Sequence, residues 1–159
     1  MEKVLSKYKI NKNTMAIMAT AHTDYQAMVI ETNRTLFVKQ TPLSIIKTAC
    51  LYGGSSYEGR RSAVIYLTTT KQKVPIPINP FANIYAFPTL SPNHHQCNWI
   101  FLNHVEMVKD AHTSAPSNIQ SIILFKQGQK LMMSESRAVL VKQMQRTALC
   151  LFYFTPQKV

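Results

Sequence analysis

The chain has 159 residues, with 18 Lys or Arg against seven Asp or Glu, and so a formal net charge of +11. At 46% hydrophobic and 16% charged residues, it is about one domain long and too apolar for a basic disordered tail. The excess charge comes from missing acids: the 47 residues from Gly59 to Val105 contain no carboxylate, which suits a polyanionic partner, nucleic acid before an anionic membrane or an acidic protein.

In chain order, Lys7 to Ile10, Met15 to Ala19, Gln26 to Ile30 and Leu36 to Lys39 read as short antiparallel strands parted by polar turns. Thr41-Pro42 supplies an N-cap and a first-turn proline for a helix. Its apolar stripe is Leu43, Ile46, Ala49 and Cys50, with Ser44, Lys47 and Thr48 opposite, and Gly53-Gly54 ends it. Ser55 to Arg61 reads as a polar link, and Ser62 to Thr69 fits either a strand or the end of a second helix. Five prolines between Val74 and Pro92 require extended edge strand and loop. Trp99 to Lys109 reads as one strand, with Phe101, Val105 and Met107 on one face. After a loop at Ala111 to Asn118, Ser121 to Phe125 and Lys130 to Met133 form a hairpin about Gly128. Ser134-Glu135 starts a last helix with Val141, Met144, Ala148 and Leu151 inward and Lys142, Gln143 and Arg146 outward. It becomes apolar all round from Ala148 to Phe154, as expected of a helix end buried against its own domain or a second subunit. The expected fold is α+β in a single domain, residues 1–159: an antiparallel β core, one or two short helices after the first strands, and a C-terminal helix.

Two segments carry the residues suited to chemistry. Gly54 to Arg61 nearly spells a phosphate-binding loop, but Arg60 and Arg61 stand where that loop needs Lys and then Ser or Thr, and a helix precedes it instead of a strand. A nucleophile elbow fails for want of the closing glycine. What Ser55, Ser56, Tyr57, Arg60 and Arg61 do suit is contact with a phosphate backbone, Glu58 orienting one arginine; a turn with solvated arginines is the ordinary alternative. In the second segment, His94, His95 and Cys97, with His104 further on, invite a zinc or thiol enzyme, yet they form no recognisable ligand pairs and lack an orienting acid. His94, His95, Gln96 and Asn98 instead supply donors for the acceptors of a minor groove, an ordinary polar loop being the alternative. No metal or cofactor is expected. Cys50, Cys97 and Cys150, odd in number and far apart, read as reduced thiols, Cys50 and Cys150 in the core. No stretch resembles a membrane span or signal peptide, so the protein reads as cytoplasmic and without a membrane partner.

The run Cys50-Leu51-Tyr52-Gly53-Gly54-Ser55-Ser56-Tyr57-Glu58-Gly59-Arg60-Arg61 resembles a signature of the ComK family of competence transcription factors. Phe87-Pro88-Thr89-Leu90-Ser91 with Gln96-Cys97, Trp99-Ile100 and His104-Val105 resembles its second signature, at matching spacing. Thr41-Pro42-Leu43 and Arg146-Thr147-Ala148 add weaker similarity, so that the resemblance runs from about residue 6 to 154. It implies a non-enzymatic activator of DNA-uptake genes that reads paired A/T-rich boxes of double-stranded DNA, largely through the minor groove, as a dimer or dimer of dimers. RNA polymerase is an implied partner. A protease adaptor is a partner that the resemblance implies for longer members, whose extra C-terminal stretch would serve it; this sequence departs from them by ending at Thr155 to Val159. On this reading Lys47, Ser55, Ser56, Tyr57, Arg60, Arg61, His94, His95, Gln96 and Asn98 face DNA, and Leu149, Leu151, Phe152 and Phe154 pair subunits. The rival reading is an accessory paralogue that acts by protein association with little DNA binding of its own.

Overall fold

The computed structural model describes residues 3–157; Lys158 and Val159 of the C-terminal run lie outside them. In chain order the elements are β1 (Val4–Leu5), β2 (Thr14–Ala19), β3 (Ala27–Glu31), β4 (Thr35–Val38), α1 (Pro42–Tyr52), α2 (Tyr57–Thr68), β5 (Ile76–Asn79), β6 (Ile84–Pro88), β7 (Trp99–Phe101), β8 (Val105–Asp110), β9 (Ser121–Phe125), β10 (Lys130–Met133) and α3 (Arg137–Phe154). This is the α+β architecture expected from the sequence, with two helices after the first strands and one at the C-terminus. Seven strands form a sheet in the order β1-β4-β3-β2-β7-β6-β5, and three form a second sheet in the order β10-β9-β8. All pairings are antiparallel except that of β1 with β4.

The pleat sends alternate residues of the large sheet to opposite faces. Ile17, Val29, Trp99 and Phe101 pack under α1 and α2 in one core with Ile45, Ile46, Cys50, Tyr57 and Val64, which Cys150 of α3 completes. Met15, Ala16, Phe87 and Ile100 face the other way and meet Val105, Val108, Ile123 and Phe125 of the small sheet, with Leu140 of α3. Proline placement follows donor loss: Pro77 lies in β5 at the sheet edge, and Pro80 opens the 3-10 turn Pro80–Ala82.

Several expectations need correction. Residues 7–10 form no strand, although Tyr8 and Ile10 are buried and Lys7 and Lys9 exposed; the alternation is that of an extended segment anchored by side chains. Tyr8 Oη donates to Glu31 Oε2 and bonds Thr14 Oγ1 at 2.7 Å, while Arg34 Nε donates to Glu31 Oε1 at 2.6 Å. The link at Ser55 to Arg61 is mostly the first turns of α2, which also settles Ser62 to Thr68 as helix. The strand at Trp99 to Lys109 is two strands in different sheets, because a 3-10 turn at Leu102–His104 redirects the chain and a bulge between Val105 and Met107 turns Met107 outward and Val108 inward. In α3 the buried face is Leu140, Gln143, Thr147 and Cys150, one position back from the expected stripe, and Ser136 caps the helix. Gln143 is drawn inward because its Nε2 donates to the carbonyls of Lys73 and Pro88 at 2.9 and 2.8 Å, which would otherwise be left unpaired.

Candidate nucleic-acid interface

Both α1 and α2 begin where side-chain oxygens cap free backbone N–H groups. Thr41 Oγ1 accepts from Ser44 N at 3.2 Å with Pro42 in the first turn, and Ser56 Oγ accepts from Gly59 N at 2.9 Å. A Cβ on Gly59 would press on Ser56 Oγ at 3.0 Å and Ser55 Oγ at 3.2 Å, so the missing side chain lets both hydroxyls close over the first turn of α2. Between the helices Gly53 packs against β5 so tightly that a Cβ would overlap the carbonyl oxygen of Ile78. The N–H groups of Gly54 and Ser55 satisfy the last carbonyls of α1, those of Leu51 and Cys50.

The expected DNA-facing residues separate by role. Arg60 is half-buried and its Nη2 donates to Gly53 O at 2.9 Å, which ties α2 to the turn before it. Arg61 has no such partner among the described residues and lies near Tyr57, whose hydroxyl burial pushes up to about 12, Arg61 partly offsetting that. Lys47, on the outer face of α1, bridges to Glu58 at 3.7 Å with both side chains largely in solvent, a pair weak enough to yield its lysine to phosphate. Ser55 and Ser56 stand at the start of α2, where the helix dipole favours anions.

The second segment borders the other end of α1. His94, His95 and Gln96 are exposed, the two histidine rings stacked at 4.6 Å. With Asn93 and Pro92 the histidines share a cleft of about 370 Å³ with Thr41, Pro42, Leu43, Thr20 and Gln26. Asn98 is occupied within the large sheet: its Oδ1 accepts from Ala19 N at 2.8 Å, and its backbone pairs with Thr89. Cys97 is buried, its thiol held above the ordinary range by burial, the opposite of what a nucleophile requires. His104 bonds the carbonyl of Lys12 at 2.8 Å, and among the described residues no group of three or more His, Cys, Asp or Glu could hold a metal ion.

The fold thus brings two segments some 40 residues apart in the chain to opposite ends of α1, an 11-residue helix about 16 Å long, or about five base pairs of duplex. Sequence reasoning missed three residues of this face. Leu51 and Tyr52, at the end of α1, are exposed, and Lys9 lies over the Tyr52 ring with Nζ 4.3 Å from its centroid. Lys9 is 43 positions from Tyr52 in a segment read as sheet, and nothing in the pattern signals that pairing. Of the expected subunit-pairing residues, Leu149 and Phe152 face solvent, while Leu151 and Phe154 pack against the core under α1 and α2. No helix of the described residues is long and apolar enough to cross a membrane.

A family model described as ComK protein matches residues 5–158. A relative named competence transcription factor, from Bacillus subtilis (strain 168), is 34% identical over 106 residues, a stretch covering 66% of this chain and 55% of the relative. The alignment thus spans little more than half of that protein's length. No solved structure matches the chain.

Proposed function

This chain belongs to the ComK family, and from that premise we propose that it is a single DNA-binding domain that activates competence genes by binding A/T-rich duplex, without enzyme activity. The observation that carries the reading is the basic face built on α1 and the start of α2: Lys9 over the Tyr52 ring at the end of α1, Lys47 on the outer face of α1 with Glu58 paired to it, and Arg61 in α2, which the hydroxyl of Ser56 caps. Phosphates bind to the cations and to the first turn of α2. His94, His95 and Gln96 reach the adenine N3 and thymine O2 acceptors of a minor groove narrowed by A-tracts. Two copies bind paired boxes, Leu149 and Phe152 of α3 joining them, and the bound dimer recruits RNA polymerase. Titration of A/T-box and G/C-rich duplexes of equal length tests this, with tighter binding to the A/T duplex expected. About six phosphate contacts predict a loss of about 10³ in affinity from 50 to 200 mM salt. Equal affinity for both duplexes removes sequence selectivity; a flat salt dependence removes DNA binding.

One observation favours the accessory-paralogue reading. Among the described residues, eight of the ten large apolar side chains left exposed lie on α1, α2, α3 or the 80–82 turn, Tyr66, Phe81 and Phe152 the most open. A surface of that kind suits a protein partner. Weak binding to every duplex together with tight association with a full-length family member supports that reading over the first.

A further inference from the structure

Leu51 and Tyr52 end α1 with 67% and 66% of their surface in solvent. A lone exposed leucine needs no explanation, but this pair stands on a rigid base. Gly53, the next residue, is wedged against the backbone of Ile78 and Asn79, and its carbonyl is held by Arg60 at 2.9 Å. The Tyr52 ring is also held, with Lys9 Nζ 4.3 Å from its centroid. Beside the pair, Lys9 lies over the Tyr52 ring and Leu51 borders a shallow pocket with Lys47, Thr48, Ser44 and Leu43; Ser55 and Ser56 follow three and four positions on in the chain, and Glu58 is engaged by Lys47. Among the described residues this apolar tip stays mostly in solvent, and the basic groups beside it favour an anionic partner. Duplex DNA supplies both halves, phosphates for the basic groups and the faces of a base step for the tip.

We propose that Leu51 and Tyr52 form a wedge that enters a base step of the bound duplex and unstacks it, with Lys9 against the neighbouring phosphate. This rests on the DNA-binding reading and adds to it a source of selectivity. Pyrimidine–purine steps such as TA open most easily, so a wedge prefers sites containing them without a hydrogen bond to any base.

The test uses the full chain and an A/T-rich duplex with a fluorescent adenine analogue at a central TA step. Binding is followed separately by anisotropy of a terminal dye, and self-association by sedimentation without DNA. The wild type raises the analogue's fluorescence at saturation. The Leu51→Ala, Tyr52→Ala double variant, its fold checked by thermal melting, loses that rise and binds more weakly at an unchanged salt slope; Tyr52→Phe, which keeps the ring, retains it. Wild-type binding without a rise overturns the wedge and leaves the DNA reading standing, whereas failure of the wild type to bind any duplex overturns both. A double variant that keeps the rise but self-associates less assigns the pair to an interface between copies and also overturns the wedge.

Discussion

Adding one methyl group at Gly53 and at Gly59 should give results of different size, and the difference measures how firmly the α1–α2 turn is fixed. At Gly53 the new Cβ would overlap Ile78 O and stand 3.3 Å from its carbonyl carbon and 3.4 Å from Cα of Asn79. All three atoms are backbone of β5 or its end, so none can rotate away; the turn or the strand must move by about 1 Å to restore an ordinary C···O separation. Overpacking of this kind costs about 2–3 kcal/mol, which at a urea m-value of about 2 kcal/mol/M lowers the unfolding midpoint by about 1 M. At Gly59 the new Cβ would meet only the hydroxyls of Ser55 and Ser56, which can turn aside. The gain in helix propensity, about 0.5–1 kcal/mol, offsets a weakened cap worth about 1 kcal/mol. Urea unfolding of Gly53→Ala and Gly59→Ala beside the wild type checks this, with a large loss expected for the first and a shift within about 1 kcal/mol for the second. A Gly53→Ala protein as stable as wild type would show that the turn is free of β5, and the rigid placement of Leu51, Tyr52 and Arg60 would fall with it.

Gln143→Leu leaves the carbonyls of Lys73 and Pro88 without their donor, a loss of about 2–4 kcal/mol; an unchanged melting temperature would count against the buried face assigned to α3. Glu31 offers a pH test. Burial alone would raise its carboxyl, but hydrogen bonds from Tyr8, Arg34 and Asn11 outweigh that and hold it below 4.5. Its contribution is therefore complete above the ordinary carboxylate range and is lost as the pH falls below it. Tyr8→Phe should move acid unfolding to higher pH, and an unshifted acid midpoint would contradict the network. Burial pushes the Cys50 thiol up to about 11 and that of Cys150 up to about 12, and raises Cys97 as well. A thiol reagent at neutral pH should find none of the three cysteines before denaturant is added; rapid labelling of the native chain would refute their burial.

Local chemistry made much of this fold legible. Thr41-Pro42 marks the start of α1, the prolines at 75, 77 and 80 keep helix out of that stretch, and the hairpin around Gly128 sits where its turn residues place it. The failures are tertiary. Gln143 looks like a surface residue until the carbonyls of Lys73 and Pro88 are beside it. The apolar alternation after Trp99 runs through a change of sheet, because a 3-10 turn keeps Phe101 and Val105 buried four positions apart. The two candidate segments were visible as motifs, but their relation was not. Arg60 and Arg61 are equivalent in the sequence, whereas in the fold one is spent on Gly53 O and the other makes no hydrogen bond among the described residues. Asn98 is likewise engaged by Ala19, a contact across 79 positions that no spacing rule anticipates.

The central claim is that the face of α1 and α2 binds A/T-rich duplex. Footprinting combined with salt-dependent titration, on the wild type and a Lys47→Ala, Arg61→Ala double variant, tests it most directly. Neither side chain is buried in the core: Lys47 is exposed, with a surface ion pair to Glu58 and its Nζ 5.7 Å from the Tyr57 ring centroid, and Arg61 makes no hydrogen bond among the described residues, so thermal melting of the variant checks its fold. The wild type should protect a discrete A/T-rich pattern; the variant should lose that protection and show a salt slope shallower by about one for each phosphate contact removed. Identical footprints and identical slopes would contradict the claim and place the DNA on another part of the basic surface.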